Sequence, residues 1–292
     1  MSMITERLAA PAVFILACAV FSGCGKQKGQ DIEPLELTVF SGSASEPAMR
    51  KIAAIFESRE NVRIDLHFSG SGTMLSQMKM SRRGDVYVPG SPDFMEKAVK
   101  DKVVDPTTVR KVAYLVPAIV VKKGNPLGIR KLSDLARPGL RVAIGDPQTV
   151  CVGLYAYEIL EKAGLLEGVR KNIVTLAESC SKTAALIPLG SADAVIGWSV
   201  FQSWTPEETE AILLEPGQAP RIAYIAAAVS TFTKHPAKAR MLVEFLGGEE
   251  ASGIFKKAGY LATLEDAGKL APGALVGGNY ALPKDYEPPV RP

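Results

Sequence analysis

Apolar and polar residues change period several times along this chain, and each change marks the edge of an element. After the apolar-rich run Leu35–Phe40, a first strand, residues Met49, Ile52, Ala53 and Phe56 recur at the spacing of one helix face. Ser45 ahead of that face is a candidate N-cap, and Pro47 falls in the first turn, where a missing N–H costs little. The period then drops to two. Val62, Ile64, Leu66 and Phe68 alternate with Arg63, Asp65 and His67, which predicts a strand with one buried face. Ser71 opens a second helix carrying Met74, Leu75 and Met78 and ending before Gly84. Asp85–Val88 reads as a short strand, and Ser91-Pro92-Asp93 opens a helix with Phe94, Met95, Ala98 and Val99 inside.

The long apolar run Val112–Val121 is interrupted by Pro117, which fits poorly inside a ladder and suits a crossing between lobes. A second strand–helix series follows. Arg141–Ile144 predicts a strand, Gly145-Asp146-Pro147 a turn, and Val152, Tyr155, Ala156, Ile159, Leu160 and Ala163 a helix face stopped by Gly164. Ile173–Leu176 is a strand, after which Glu178-Ser179-Cys180-Ser181 leads into a short helix from Thr183 that Pro188 ends. Asp193–Trp198 reads as a buried strand, and Ile222–Val229 as the return crossing. Pro236–Leu246 and Ala251–Lys257 are helices closed by Gly247 and Gly259. Strand and helix alternate throughout, which argues an α/β fold with mostly parallel sheets covered by helices. From Thr263 onward Gly and Pro are dense and periodicity fades, so residues 263–292 are read as a strap or a disordered tail with no assigned function.

Composition narrows the class. The 292 residues carry a net charge of +3 without a long basic run, so no nucleic-acid partner is expected. Leu8–Phe21 is almost wholly apolar, follows Arg7 and ends at Ser22-Gly23-Cys24. It is short for a membrane span and matches a secretory signal peptide over residues 1–23. Val20-Phe21-Ser22-Gly23-Cys24 resembles a bacterial lipobox, which implies lipidation of Cys24 and a tethered linker over residues 24–34. The mature chain would then sit in the periplasm or at the outer face of a bacterial membrane, soluble apart from its anchor. Of four cysteines, Cys18 leaves with the signal and Cys24 carries lipid. Cys151 and Cys180 are left over, and in an oxidising compartment they are candidates for a disulfide.

Two stretches carry candidate chemistry: Phe40-Ser41-Gly42-Ser43-Ala44-Ser45-Glu46-Pro47 and Phe68-Ser69-Gly70-Ser71-Gly72-Thr73. Each follows a strand, is built of small hydroxyl and Gly residues, and opens a helix. Such a turn aims free backbone N–H groups outward from the positive end of the helix dipole, a neutral cradle for an anion. One such turn would be ordinary capping; two after successive strands argue a site. Neither contains the Gly-Lys-Ser/Thr of a P-loop. The two histidines, His67 and His235, are scattered, and Tyr155 and Tyr157 point different ways on one helix, so no bare metal cation is expected. No nucleophile with an adjacent base and no acid/base pair is apparent, so neither an enzyme nor a cofactor is expected.

With both Ser/Gly turns, Gly145-Asp146-Pro147 and Ile254-Phe255-Lys256-Lys257-Ala258-Gly259-Tyr260 in order, the chain resembles the molybdate/tungstate-binding proteins of bacterial ABC importers over about Leu35–Ala262. The resemblance implies a two-lobed periplasmic-binding-protein-like fold: residues 35–117 plus 226–262 in lobe one, 118–225 in lobe two, and a tetrahedral oxyanion in the cleft between them. It also implies a permease and an ATPase as partners, and a monomeric receptor. Residue by residue, the family's second-turn serine falls on Ser71, and its first-turn serine on Ala44, flanked by Ser43 and Ser45. Two lobe-two amides fall on Val152 and Cys180, and a tyrosine hydroxyl is replaced by the indole of Trp198. Ala44 and Trp198 depart from the pattern and leave sulfate or another small oxyanion as the alternative ligand, with a sensor or enzyme on the same fold further off. Glu46, beside the first turn, reads as a first-turn acid opposite the helix dipole.

Overall fold

A computed structural model describes residues 35–290. Its first sheet has the strand order β11-β10-β3-β1-β2, with β4 also on β10. Strand β1 (Leu35–Gly42) lies parallel to both β2 (Val62–Ser69) and β3 (Val86–Val88). Helix α1 (Glu46–Glu60) buries Ala48, Met49, Ile52, Ala53 and Phe56, the face its spacing predicts, and Asn61 in left-handed backbone ends it. Helix α2 (Ser71–Ser81) buries Met74, Leu75 and Met78, and α3 (Pro92–Lys100) buries Phe94, Met95 and Ala98.

The long apolar run divides into β4 (Arg110–Leu115) and β5 (Pro117–Lys122), with Val116 alone between them. β4 pairs with β10 in the first sheet, whereas Pro117 already pairs with Trp198 in the second, so the proline marks the change of sheet. The second sheet runs β7-β6-β8-β5-β9. It comprises β6 (Val142–Gly145), β7 (Ile173–Ala177), β8 (Ala194–Trp198) and β9 (Thr209–Leu213) around β5. Helices α4 (Cys151–Lys162), α5 (Leu166–Arg170), α6 (Cys180–Ala185) and α7 (Phe201–Trp204) lie along this half of the chain. β10 (Arg221–Val229), α8 (Pro236–Leu246) and α9 (Glu249–Lys257) return to the first sheet, followed by α10 (Leu264–Leu270) and the two-residue β11 (Leu275–Val276).

The protein therefore has a two-lobed α/β fold. Both sheets are mixed: β5 runs antiparallel to β8 and β9, and β10 antiparallel to β3 and β4. Ile222–Val229, expected to cross between lobes, stays hydrogen-bonded in the first sheet along its length, and the chain changes sheets between Leu213 and Arg221. β9 escapes sequence reading because its Glu210 and exposed Leu213 blur the alternation on a short edge strand. Helix α6 begins at Cys180 rather than Thr183, because the Ser179 hydroxyl accepts from the Lys182 N–H and starts the helix earlier. The tail, read as strap or disorder, contains α10, whose start Thr263 caps by accepting from the Asp266 N–H. Cys18 and Cys24, and with them the signal and lipidation readings, lie outside the described residues.

Candidate functional site

Each of the two Ser/Gly turns leaves the carboxyl end of a strand of the first sheet, and helices α4 and α6 approach from the second. A chain of direct contacts closes the gap. The Gly72 N–H donates to the Thr149 carbonyl at 2.8 Å, and the Ser181 N–H donates to Ser43 Oγ at 3.0 Å. The Ser181 hydroxyl donates to Glu46 Oε2 at 2.9 Å, while the other Glu46 oxygen is held by Arg50. Glu46 thus does more than face a dipole: it links the lobes. Glycine permits the close approach, since a Cβ at Gly70 would fall 2.7 Å from the Thr149 carbonyl oxygen.

The predicted residues divide into those aimed at the cleft and those already committed. Ser71 starts α2, is buried, and its Oγ accepts from the Gly90 N–H at 3.1 Å, leaving its own proton to donate. Val152 and Cys180 lie in the first turns of α4 and α6, where the helix supplies no acceptor for an amide. Ala44 is fully buried, and its carbonyl accepts from the Tyr260 hydroxyl at 2.7 Å. Ser45 is turned away: its hydroxyl donates to the Gly42 carbonyl at 3.0 Å and meets Ser41 Oγ at 2.8 Å. It makes no side-chain cap to α1, contrary to the N-cap expectation, because that short internal bond satisfies it first. Ser43 Oγ is taken up as the acceptor for Ser181.

Trp198 is fully buried at the end of β8, edge-on to Tyr155 with ring centroids 5.0 Å apart. Its indole Nε1 has no hydrogen-bond partner among the described residues. Cys151 and Cys180, the candidate disulfide pair, are both buried and stand as free thiols with their sulfurs 3.4 Å apart. Burial pushes the Cys151 thiol up, but Cys180, the Ser71 hydroxyl, the Trp198 indole and the Val152 amide together hold it below the ordinary cysteine value. Burial, then Cys151 itself, pushes Cys180 well above that value. Of the two, Cys151 is therefore the first to give up its proton.

Several roles at this site go beyond the sequence reading: Cys151, named only as a disulfide candidate, stands at its centre, Ser181 and Tyr260, quoted only within motifs, act as struts, and Gly90, not named at all, is the floor. A Cβ at Gly90 would stand 2.6 Å from Cys151 Sγ and 2.9 Å from the Ala44 Cβ. Ser181 was legible in principle, as the residue after a Ser-capped helix start. Gly90 gave no local signal. Among the described residues no group of three His, Cys, Asp or Glu side chains is placed to hold a metal ion.

Two lobes, a glycine-lined seam and inward-facing helix starts define a solute-binding architecture. Residues 37–261 match the family of bacterial extracellular solute-binding proteins, and the chain belongs to that family. It is 26% identical to the molybdate-binding protein ModA of Escherichia coli K12 over 77% of this chain and 88% of the relative. Among solved structures it resembles a periplasmic molybdate-binding protein of Azotobacter vinelandii, with a TM-score of 0.67 at 20% identity, covering 77% of this chain and 98% of that one. It also resembles the sulfate-binding protein SubI of Mycobacterium tuberculosis H37Rv, with a TM-score of 0.69 at 17% identity, over 83% and 93% of the two chains.

Proposed function

We propose that this protein is the extracytoplasmic receptor of an ABC importer, anchored by lipid at Cys24, and that it takes a tetrahedral oxyanion of the molybdate or tungstate type. The observation that carries the reading is a set of neutral donors from both lobes that all act on one point, the buried Cys151 sulfur: the Ser71 hydroxyl, the first-turn amide of Val152 and the Trp198 indole. Hydrogen bonds to a charged group are worth about 1.5–3 kcal/mol each, so a handful holds a dianion without a countercharge. Arg50 and Lys182, the cations nearest in sequence to Glu46 and Cys180, are engaged with Glu46 and Glu178 and are not needed. Molybdate, tungstate and sulfate bring no proton that needs an acceptor, whereas phosphate near neutral pH does.

Sulfate is the second reading. It is likewise fully deprotonated, and the seam is tight, with Gly90, Ala44 and Cys151 in near contact. Molybdate, tungstate, sulfate and phosphate at equal ionic strength, compared by thermal shift, separate the two. A true ligand at about 100 times its dissociation constant adds about 2.7 kcal/mol of stability. A response to sulfate with none to molybdate or tungstate replaces the first reading with the second; silence to all four ends both.

A further inference from the structure

The centre of the seam holds two thiols. Cys151 and Cys180 begin two different helices, α4 and α6, yet their sulfurs lie 3.4 Å apart, buried and unbonded. The buried Trp198 indole N–H, which has no other partner among the described residues, acts on both sulfurs, and the Ser71 hydroxyl acts on Cys151 from the opposite lobe. Structural thiols are usually surrounded by apolar atoms. These two are ringed by donors, and the opposite lobe comes closest to Cys151 at Gly90, where a Cβ would stand 2.6 Å from the sulfur.

We propose that this dithiol is a covalent capture site for trivalent, thiol-seeking oxoacids of the arsenous acid class. Each sulfur displaces one hydroxyl group from the trivalent centre. Two sulfur–arsenic bonds form, two oxygen–arsenic bonds break, and each thiol proton leaves with a displaced hydroxide as water. Arsenic stays trivalent, so no oxidant or reductant is consumed. The third hydroxyl stays on arsenic, where its oxygen accepts from the Ser71 hydroxyl or the Trp198 indole. A soft metal cation is a poorer occupant, because no third His, Cys, Asp or Glu side chain among the described residues completes its shell. A pyramidal oxoacid brings its own third ligand. The inference rests on the receptor reading in one respect: the lobes must part to admit the guest.

The test uses the full chain with Cys18→Ser and Cys24→Ser, kept reduced with a phosphine, and sodium arsenite as the probe. Arsenite should raise the melting temperature, remove both titratable thiols and abolish any shift produced by molybdate. Cys151→Ser and Cys180→Ser should each weaken the arsenite response about 100-fold or more, since a single sulfur loses the chelate advantage. If either variant does not fold, native mass spectrometry of the two-cysteine chain decides, with one arsenic bound per chain at the loss of two thiols as the supporting result. Unmodified thiols in excess arsenite, a full response from a single-cysteine variant, or a disulfide that resists the phosphine each overturn the proposal. An arsenite response without any oxyanion shift keeps the capture site and sinks the oxyanion reading; the reverse result does the opposite.

Discussion

Ser71 Oγ accepts from the Gly90 N–H and caps nothing in its own helix, so its proton points into the seam, where it acts on the Cys151 sulfur and is available to a guest. Ser71→Ala should weaken oxyanion binding by about 1.5–3 kcal/mol, the worth of one hydrogen bond to a charge, with a smaller loss of stability from the abandoned Gly90 amide. Titration calorimetry beside a melting curve reads both, and unchanged affinity would remove Ser71 from the shell. Ser71 was legible as a helix start after a strand, whereas Val152 and Cys180 come only from the family resemblance, the sequence alone starting the helix at Thr183 rather than at Cys180. The directions of the Ser45 and Cys151 side chains were not legible. Which way a short side chain points in a first turn depends on the partner across the seam: the Gly42 carbonyl claims the Ser45 hydroxyl, and Gly90 leaves the space that the Cys151 sulfur fills.

At the scale of elements, the seam is braced from behind by a buried ion group that no periodicity reveals. Arg221 on β10 donates to Glu158 on α4 at 2.9 Å and to Asp93 on α3 at 3.0 Å, and its guanidinium lies 4.2 Å from the centre of the Tyr155 ring. In the sequence each looked like an ordinary charge on an ordinary element; only the fold brings three elements to one point. Removing one partner of a buried pair leaves the other uncompensated, so Glu158→Ala should cost about 3–5 kcal/mol in denaturant unfolding. A cost below about 1 kcal/mol, the usual worth of an exposed pair, would show the group to be dispensable. Lobe two offers a contrasting pair at its surface, where Asp193 accepts from the Arg141 side chain and backbone N–H and ties β6 to β8. The Arg141 hydrogen bonds hold the Asp193 carboxyl below its usual range against the opposing effect of burial. With a depressed folded value, its contribution is complete above the unfolded aspartate range near about 4 and is lost as pH falls through the lower folded value. The stability gap between wild type and Asp193→Asn should therefore be constant near neutrality and close in acid; a gap that widens below pH 4 would reverse the assignment.

At the scale of the whole molecule, the sheets are joined through Val116 and through residues 214–220, the strand-end positions where a hinge absorbs rotation. The tail adds a third link, the strap that is one of the two readings of residues 263–292, although its Gly and Pro content suppresses the periodic signal that would say where it docks. Asn279 donates to Glu96 and the Tyr280 N–H donates to Asp93, both on α3, while the Tyr280 hydroxyl donates to Glu161 on α4. Farther on, Glu287 pairs with Arg170 and the Tyr286 ring meets Tyr157 edge-on. The tail thus spans helices from both lobes and favours the closed arrangement. Ending the chain at Gly278 removes those links and uncovers Tyr157 without touching Ser71, Val152 or Trp198. The shortened protein should melt lower and release its oxyanion faster, with the association rate much less affected, because the lost contacts belong to the closed state. Stopped-flow dissociation measures this directly. An unchanged off-rate alongside a lowered melting temperature would make the tail a brace for lobe two alone, with no part in holding the cleft shut.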